Sequence, residues 1–107
     1  MRGLAHAEHD ASFLGTHDDA ELELNEAADF YDLENPGLGS TLIDELERAV
    51  ATIREHPEAG PVILGKVRRW GMLRFPYSLV YSVCEHELRI LAVAHQKRRP
   101  FYWRGRR

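Results

Sequence analysis

A chain of 107 residues, 44% hydrophobic and 29% charged, makes one globular domain with a modest core and is too short for two. Its formal charge of −3 hides a split: from Lys66 onward eleven Lys and Arg stand against two acids, and before it three stand against fifteen. No stretch approaches the ~18 apolar residues that cross a bilayer, the opening residues lack a signal peptide's apolar run, and the single Cys84 excludes an internal disulfide framework, so a cytoplasmic location without membrane contact is expected.

Residues 1–10 show neither helical nor strand periodicity and are expected to be a loose tail before a domain over residues 11–107. His6, His9 and His17 lie near Asp10, Asp18 and Asp19, but at no recognised ligand spacing, so no metal is expected. Residues 12–16 read as a short strand around Phe13 and Leu14. Asp18 or Asp19 then caps a helix whose apolar stripe is Ala20, Leu24, Ala27, Ala28 and Tyr31, with Glu21, Glu23, Glu26 and Asp29 largely outside it. Asn35-Pro36-Gly37 interrupts this helix, because proline lacks an amide donor and glycine relaxes the turn. Leu42, Leu46, Ala49, Val50 and Ile53 repeat the spacing in a second helix that Pro57 stops after His56, and the short linker makes the pair an antiparallel hairpin.

Beyond Gly60 the apolar period falls to two. Residues 67–72, 77–84 and 88–95 read as three strands, with Phe75-Pro76 ending the first and Glu85-His86 turning between the last two. Cys84 reads as a small apolar filler of its strand. The expected fold is α+β: an N-terminal strand, an antiparallel helical hairpin, then a three-stranded antiparallel meander packed on the helices.

The ending from Lys97 to Arg107 interleaves basic side chains with Phe101, Tyr102 and Trp103, a pattern suited to a polyanionic partner because charge holds phosphate and aromatic faces stack on bases. Lys66, Arg68, Lys97, Arg98, Arg99, Trp103 and Arg104 are accordingly candidate nucleic-acid or target-binding residues, expected on a single cationic surface. Two readings stay open for the aromatics: Tyr102 and Trp103 either face a partner or fold back over the core.

From Glu21 to Trp103 the chain resembles the RelE/ParE superfamily of toxins from bacterial type II toxin-antitoxin pairs, the plasmid stabilisation proteins. Four stretches carry the resemblance: residues 21–31, Pro36-Gly37-Leu38-Gly39, residues 74–81 with Tyr77-Ser78-Leu79-Val80-Tyr81, and residues 92–103 with Ala94-His95-Gln96-Lys97. The family's strand, helix, helix and three-strand order agrees with the reading from periodicity. The resemblance implies growth arrest, a cognate antitoxin as partner, no cofactor, and one of two targets. RelE-like members cut messenger RNA in the ribosome without a metal, which needs a base, cations for the phosphorane and an acid. ParE-like members bind DNA gyrase and need no catalytic set.

For cleavage the resemblance points to His95 as base or acid, Tyr102 as acid or stacking ring, and Arg74 and Arg69 as cations. Ser78 and Gln96, however, are neutral where the nucleases carry arginine. The balance tilts toward a ParE-like gyrase poison, with a ribosome-dependent endoribonuclease as the alternative and an inactive nucleic-acid-binding relative as the third. Under either active mechanism, replacing His95 or Arg74 by alanine is expected to reduce toxicity. The same resemblance implies an antitoxin segment that carries acids toward Arg69, Arg74 and the basic ending.

Overall fold

The computed structural model describes residues 17–85 and 87–106. The expected strand at residues 12–16 and the tail at residues 1–10 lie outside them. Helix α1 (Asp18–Glu34) and helix α2 (Leu38–Glu55) are followed by strands β1 (Val62–Leu64), β2 (Val67–Gly71), β3 (Tyr77–Cys84) and β4 (Glu87–His95). The strands form one antiparallel sheet in the order β1-β2-β3-β4. The α+β architecture is the expected one.

The start of α1 is capped by His17, whose Nδ1 accepts the Asp19 N–H at 3.0 Å, and not by either aspartate. Asp18, Asp19 and Glu21 instead fill the first turn, where their charge favours the positive end of the helix dipole. The two helices meet through Gly39: a Cβ there would collide with the Ala28 carbonyl oxygen. Asp32 of α1 spans the same junction, its Oδ1 accepting the N–H groups of Gly37 (3.2 Å) and Gly39 (2.8 Å) that open α2.

The apolar stripes bury as read, with Leu24, Ala28, Leu42, Leu46 and Ile53 at 0–1% exposure against Leu79, Tyr81 and Ile90 of the sheet. The sheet has a second covered face. Val80, Leu91, Ala92 and Trp103 form a separate cluster, with Ile63, Val67, Ala94 and Tyr102 packed on it. Helices therefore cover one side of the sheet, and the chain beyond β4, folded back in successive turns at residues 95–106, covers the other.

Two details correct the sequence reading. A fourth strand, β1, is added; it is three residues long and turns into β2 through Gly65-Lys66. Cys84 is exposed at the end of β3 and fills no core space. In β4 the register slips: Val80 faces Ala92 while Tyr81 faces Ile90, so Leu91 is the extra residue of a bulge.

The loop from α2 to β1 is fixed by Tyr81, which is fully buried. Its hydroxyl accepts the Gly60 N–H (3.0 Å) and donates to the Pro57 carbonyl (3.0 Å). Gly60 leaves no room for a side chain, since a Cβ would collide with the Arg69 carbonyl oxygen. Tyr81→Phe strands a buried amide and is expected to lower the unfolding free energy by ~1–3 kcal/mol. Gly60→Ala displaces the backbone of β2 and is expected to cost ~2 kcal/mol or more. Urea denaturation of the two variants measures both losses, and wild-type midpoints would remove the loop from the account.

Candidate functional site

Strand alternation distributes the basic residues of β2 before any contact is considered. Arg69 shares the face of Val67, which carries the C-terminal segment, whereas Arg68 shares the face of Trp70, which carries the helices. Arg69 stands beside Ser78 of β3, the end of β4 and the turn that follows. Arg69, Ser78, His95, Gln96, Arg98 and Tyr102, together with Arg99, line an open depression of about 130 Å³. Ser78 is 4% exposed at its floor, whereas Arg69, Gln96, Arg98 and Arg99 reach solvent.

His95 closes β4 opposite Tyr77, with ring centroids 5.0 Å apart in an edge-to-face contact. Its Nδ1 accepts the Lys97 N–H at 3.0 Å, and its carbonyl accepts the Arg98 N–H at 2.9 Å. A neutral His95 thus carries its proton on Nε2, and the residue fixes the turn out of the sheet.

Tyr102 is held from three sides. The Arg98 guanidinium lies 3.8 Å from the centre of its ring and that of Arg106 lies 5.2 Å away, cation–π distances on both counts. Its hydroxyl donates to Glu23 Oε2 of α1 at 2.8 Å. Burial, the bond to Glu23 and the Glu23 charge all push the phenol well above its usual range, against the opposing pull of Arg98 and Arg106. Arg106 also donates to Glu23 through both terminal nitrogens, at 3.2 Å to Oε1 and 3.1 Å to Oε2, and to the Leu91 carbonyl at 2.9 Å. Burial lowers the Arg106 pKa, but the bond and charge of Glu23, with the charges of Tyr102 and Asp19, outweigh it and the net shift is upward.

Lys66, Arg68 and Arg74 stand elsewhere, which corrects the expectation of a single cationic surface. Arg74, in the loop between β2 and β3, turns to α2, where its Nε lies 3.5 Å from Glu45 Oε1, and Glu45 Oε2 also accepts the Leu73 N–H at 2.8 Å. Arg68 spends its guanidinium on the carbonyls of Gly60 (2.7 Å) and Glu58 (3.3 Å), and with Lys66 it lines a different depression, beside Pro57. Trp103 is 5% exposed within the second core, where it packs edge-on to Phe101; its indole offers no stacking surface. Lys97 and Arg104 are exposed on the C-terminal segment.

Sequence reasoning missed Glu23 and Arg106. Glu23 stands among the other acids of α1, and Arg106 among the arginines of the ending, so neither carried a signal of its own. Among the described residues, no group of three His, Cys, Asp or Glu side chains is gathered in a way that could hold a metal ion. None of the described helices is long and apolar enough to cross a membrane.

No curated protein sequence matches the chain. Among solved structures it is similar to the one titled "Chromosomal ParDE TA system from P. aeruginosa", with 20% identity and a TM-score of 0.66 over 75% of this chain and 90% of that one. At that identity the likeness speaks for the fold. The family model described as "ParE toxin of type II toxin-antitoxin system, parDE" matches residues 16–100, a span that takes in the helical hairpin, all four strands and the turn bearing Arg98 and Arg99. The chain therefore belongs to the ParE toxin family of type II toxin-antitoxin systems.

Proposed function

We propose that this toxin is held in check by a cognate antitoxin and arrests growth by binding DNA gyrase through the depression of Arg69, His95, Arg98 and Arg99, without cutting RNA. The observation that carries this reading is the engagement of Tyr102: its proton is committed to Glu23 at 2.8 Å and the phenol is held above its usual range. A general acid must release its proton near neutral pH, and a phenol stabilised in this way does so poorly. The other parts of a metal-free nuclease are also wanting. Ser78 and Gln96 are neutral, and Arg74 is turned to Glu45 on α2. What the depression does offer is a set of exposed guanidinium groups around a half-buried imidazole, suited to acidic side chains of a protein partner.

Inducible expression with two readouts tests the reading. Supercoiling by purified gyrase is expected to be lost, and primer extension is expected to show no cleavage within codons. Cleavage mapped to codons would transfer the function to the ribosome, and growth without arrest would leave an inactive relative.

Within the depression, Arg69→Ala is expected to raise the toxin concentration that half-inhibits gyrase by about tenfold or more, as removal of an anchoring arginine does at other interfaces. Arg74→Ala is expected to have a smaller effect, since that side chain stands against α2. Equal effects of the two would argue that the toxin engages its target along the β2–β3 loop instead.

A further inference from the structure

We infer that Glu23 is a positioning residue: its carboxylate, without touching the target, locks the segment 97–106 across the outer edge of β4 and so places Arg98 and Tyr102 in the depression. The inference rests on the reading of that depression as the target-binding face.

The Glu23 side chain is 14% exposed, and its carboxylate accepts four hydrogen bonds from three residues, one on β4 and two in the segment. Oε1 takes the backbone N–H of Val93 at 3.0 Å and one Arg106 nitrogen at 3.2 Å; Oε2 takes the Tyr102 hydroxyl at 2.8 Å and the other Arg106 nitrogen at 3.1 Å. A bidentate arginine and a phenol on one carboxylate make a stiff, directional anchor. Arg106 continues it to the Leu91 carbonyl at 2.9 Å. Leu91 is the bulge residue and Val93 follows it, and Arg106 and Glu23 supply the donor to the Leu91 C=O and the acceptor for the Val93 N–H, beside an Ile90 C=O that accepts the His17 N–H at 2.9 Å.

The segment has further ties, since Arg106 Nε lies 3.7 Å from Asp19 Oδ2 and Tyr102 packs on the second core. Trp103 roots it in the second core, but Arg98, Arg99, Pro100, Phe101 and Arg104 are exposed, and Phe101 takes a left-handed φ of 62°. The Arg98 side chain is placed by the Tyr102 ring, and that ring by Glu23, Arg106 and its packing on the second core. Loss of the carboxylate removes the acceptor of the Tyr102 hydroxyl and two of the bonds that hold Arg106, which keeps the Leu91 carbonyl and Asp19, while leaving the helical hairpin, whose stripe does not include Glu23, in place.

Amide hydrogen exchange on the purified toxin is the deciding measurement. Glu23→Ala is expected to speed exchange at the N–H groups of Tyr102, Arg104 and Arg106 by about tenfold or more, with the buried amides of α2 unchanged. Tyr102→Phe and Arg106→Ala, which leave α1 intact, are each expected to loosen the same amides by a smaller factor. Unchanged exchange in the segment would overturn the inference, as would equal acceleration throughout, which would make Glu23 a general support of the fold. In the gyrase assay, at a temperature where the variants stay folded, Glu23→Ala is expected to need about tenfold more toxin, and Glu23→Gln, which keeps an acceptor, less. Glu87→Ala breaks only the exposed pair with Arg89 at the far end of β4 and serves as the control. Full inhibition by Glu23→Ala would sever the anchor from the target face. A wild-type protein that leaves gyrase untouched would cost the target reading alone, since exchange decides the anchor without any target.

Discussion

The outer edge of β4 is the constraint to which the rest of the molecule answers. A bulge at Leu91 spaces the amide and carbonyl groups of β4 irregularly, so those beside it take partners from outside the regular ladder. Here, beside an Ile90 carbonyl that accepts the His17 N–H, an acid from α1 accepts the Val93 N–H and an arginine from the chain end donates to the Leu91 carbonyl. The same pair joins the acidic first part of the chain to the basic second part. The charge split that dominates the sequence thus has a structural use as well as an electrostatic one. Exposed pairs such as Arg89 with Glu87 contribute little to stability, because water screens them and the side chains lose freedom. A largely covered carboxylate with four donors belongs to another class: withdrawing one partner strands the others.

The doubly covered sheet follows from β3. Tyr77, Leu79, Tyr81 and Val83 supply a helix-facing row, yet the intervening Ser78 and Val80 are buried as well. Apolar surface on both faces requires two covers, and the helices among the described residues form one layer. The chain end becomes the second cover, with Trp103 as its root. Its basic residues are then carried over the sheet's second face, where Arg98 and Arg99 meet Arg69, a residue about thirty positions earlier.

The helices were legible because their apolar spacing, the Asn35-Pro36-Gly37 break and Pro57 all agreed. Strands β2 to β4 were legible for the corresponding reason, a clean change of period at Gly60. β1 was not, since three residues cannot show a period and its hairpin turn, Gly65-Lys66, carries no strong turn dipeptide. The separation of Arg68 from Arg69 was available from alternation alone; grouping basic residues by their place in the sequence obscured it. Glu23 and the bulge at Leu91 lay beyond any local pattern, because an acid outside the apolar stripe of a helix looks the same whether it meets water or a partner 70 residues away in sequence. Cys84 failed for a milder reason: small apolar side chains are usually buried, but the last position of a strand beside a turn is open to solvent.

Preorganisation explains why a toxin of this size would hold its ending so firmly. A free tail of arginines attracts any polyanion, but each side chain must then be ordered on binding, at a cost of ~0.5–1.5 kcal/mol. Arg98 stacked on Tyr102, and Tyr102 braced by Glu23 and Arg106, have met that cost during folding. The arrangement exchanges breadth of attraction for selectivity: a partner gains most when its acids match a fixed spacing of Arg69, Arg98 and Arg99. An acidic antitoxin segment would profit from the same fixed spacing, so inhibitor and target would compete for one prearranged set of charges, and tight inhibition would need no movement of the toxin.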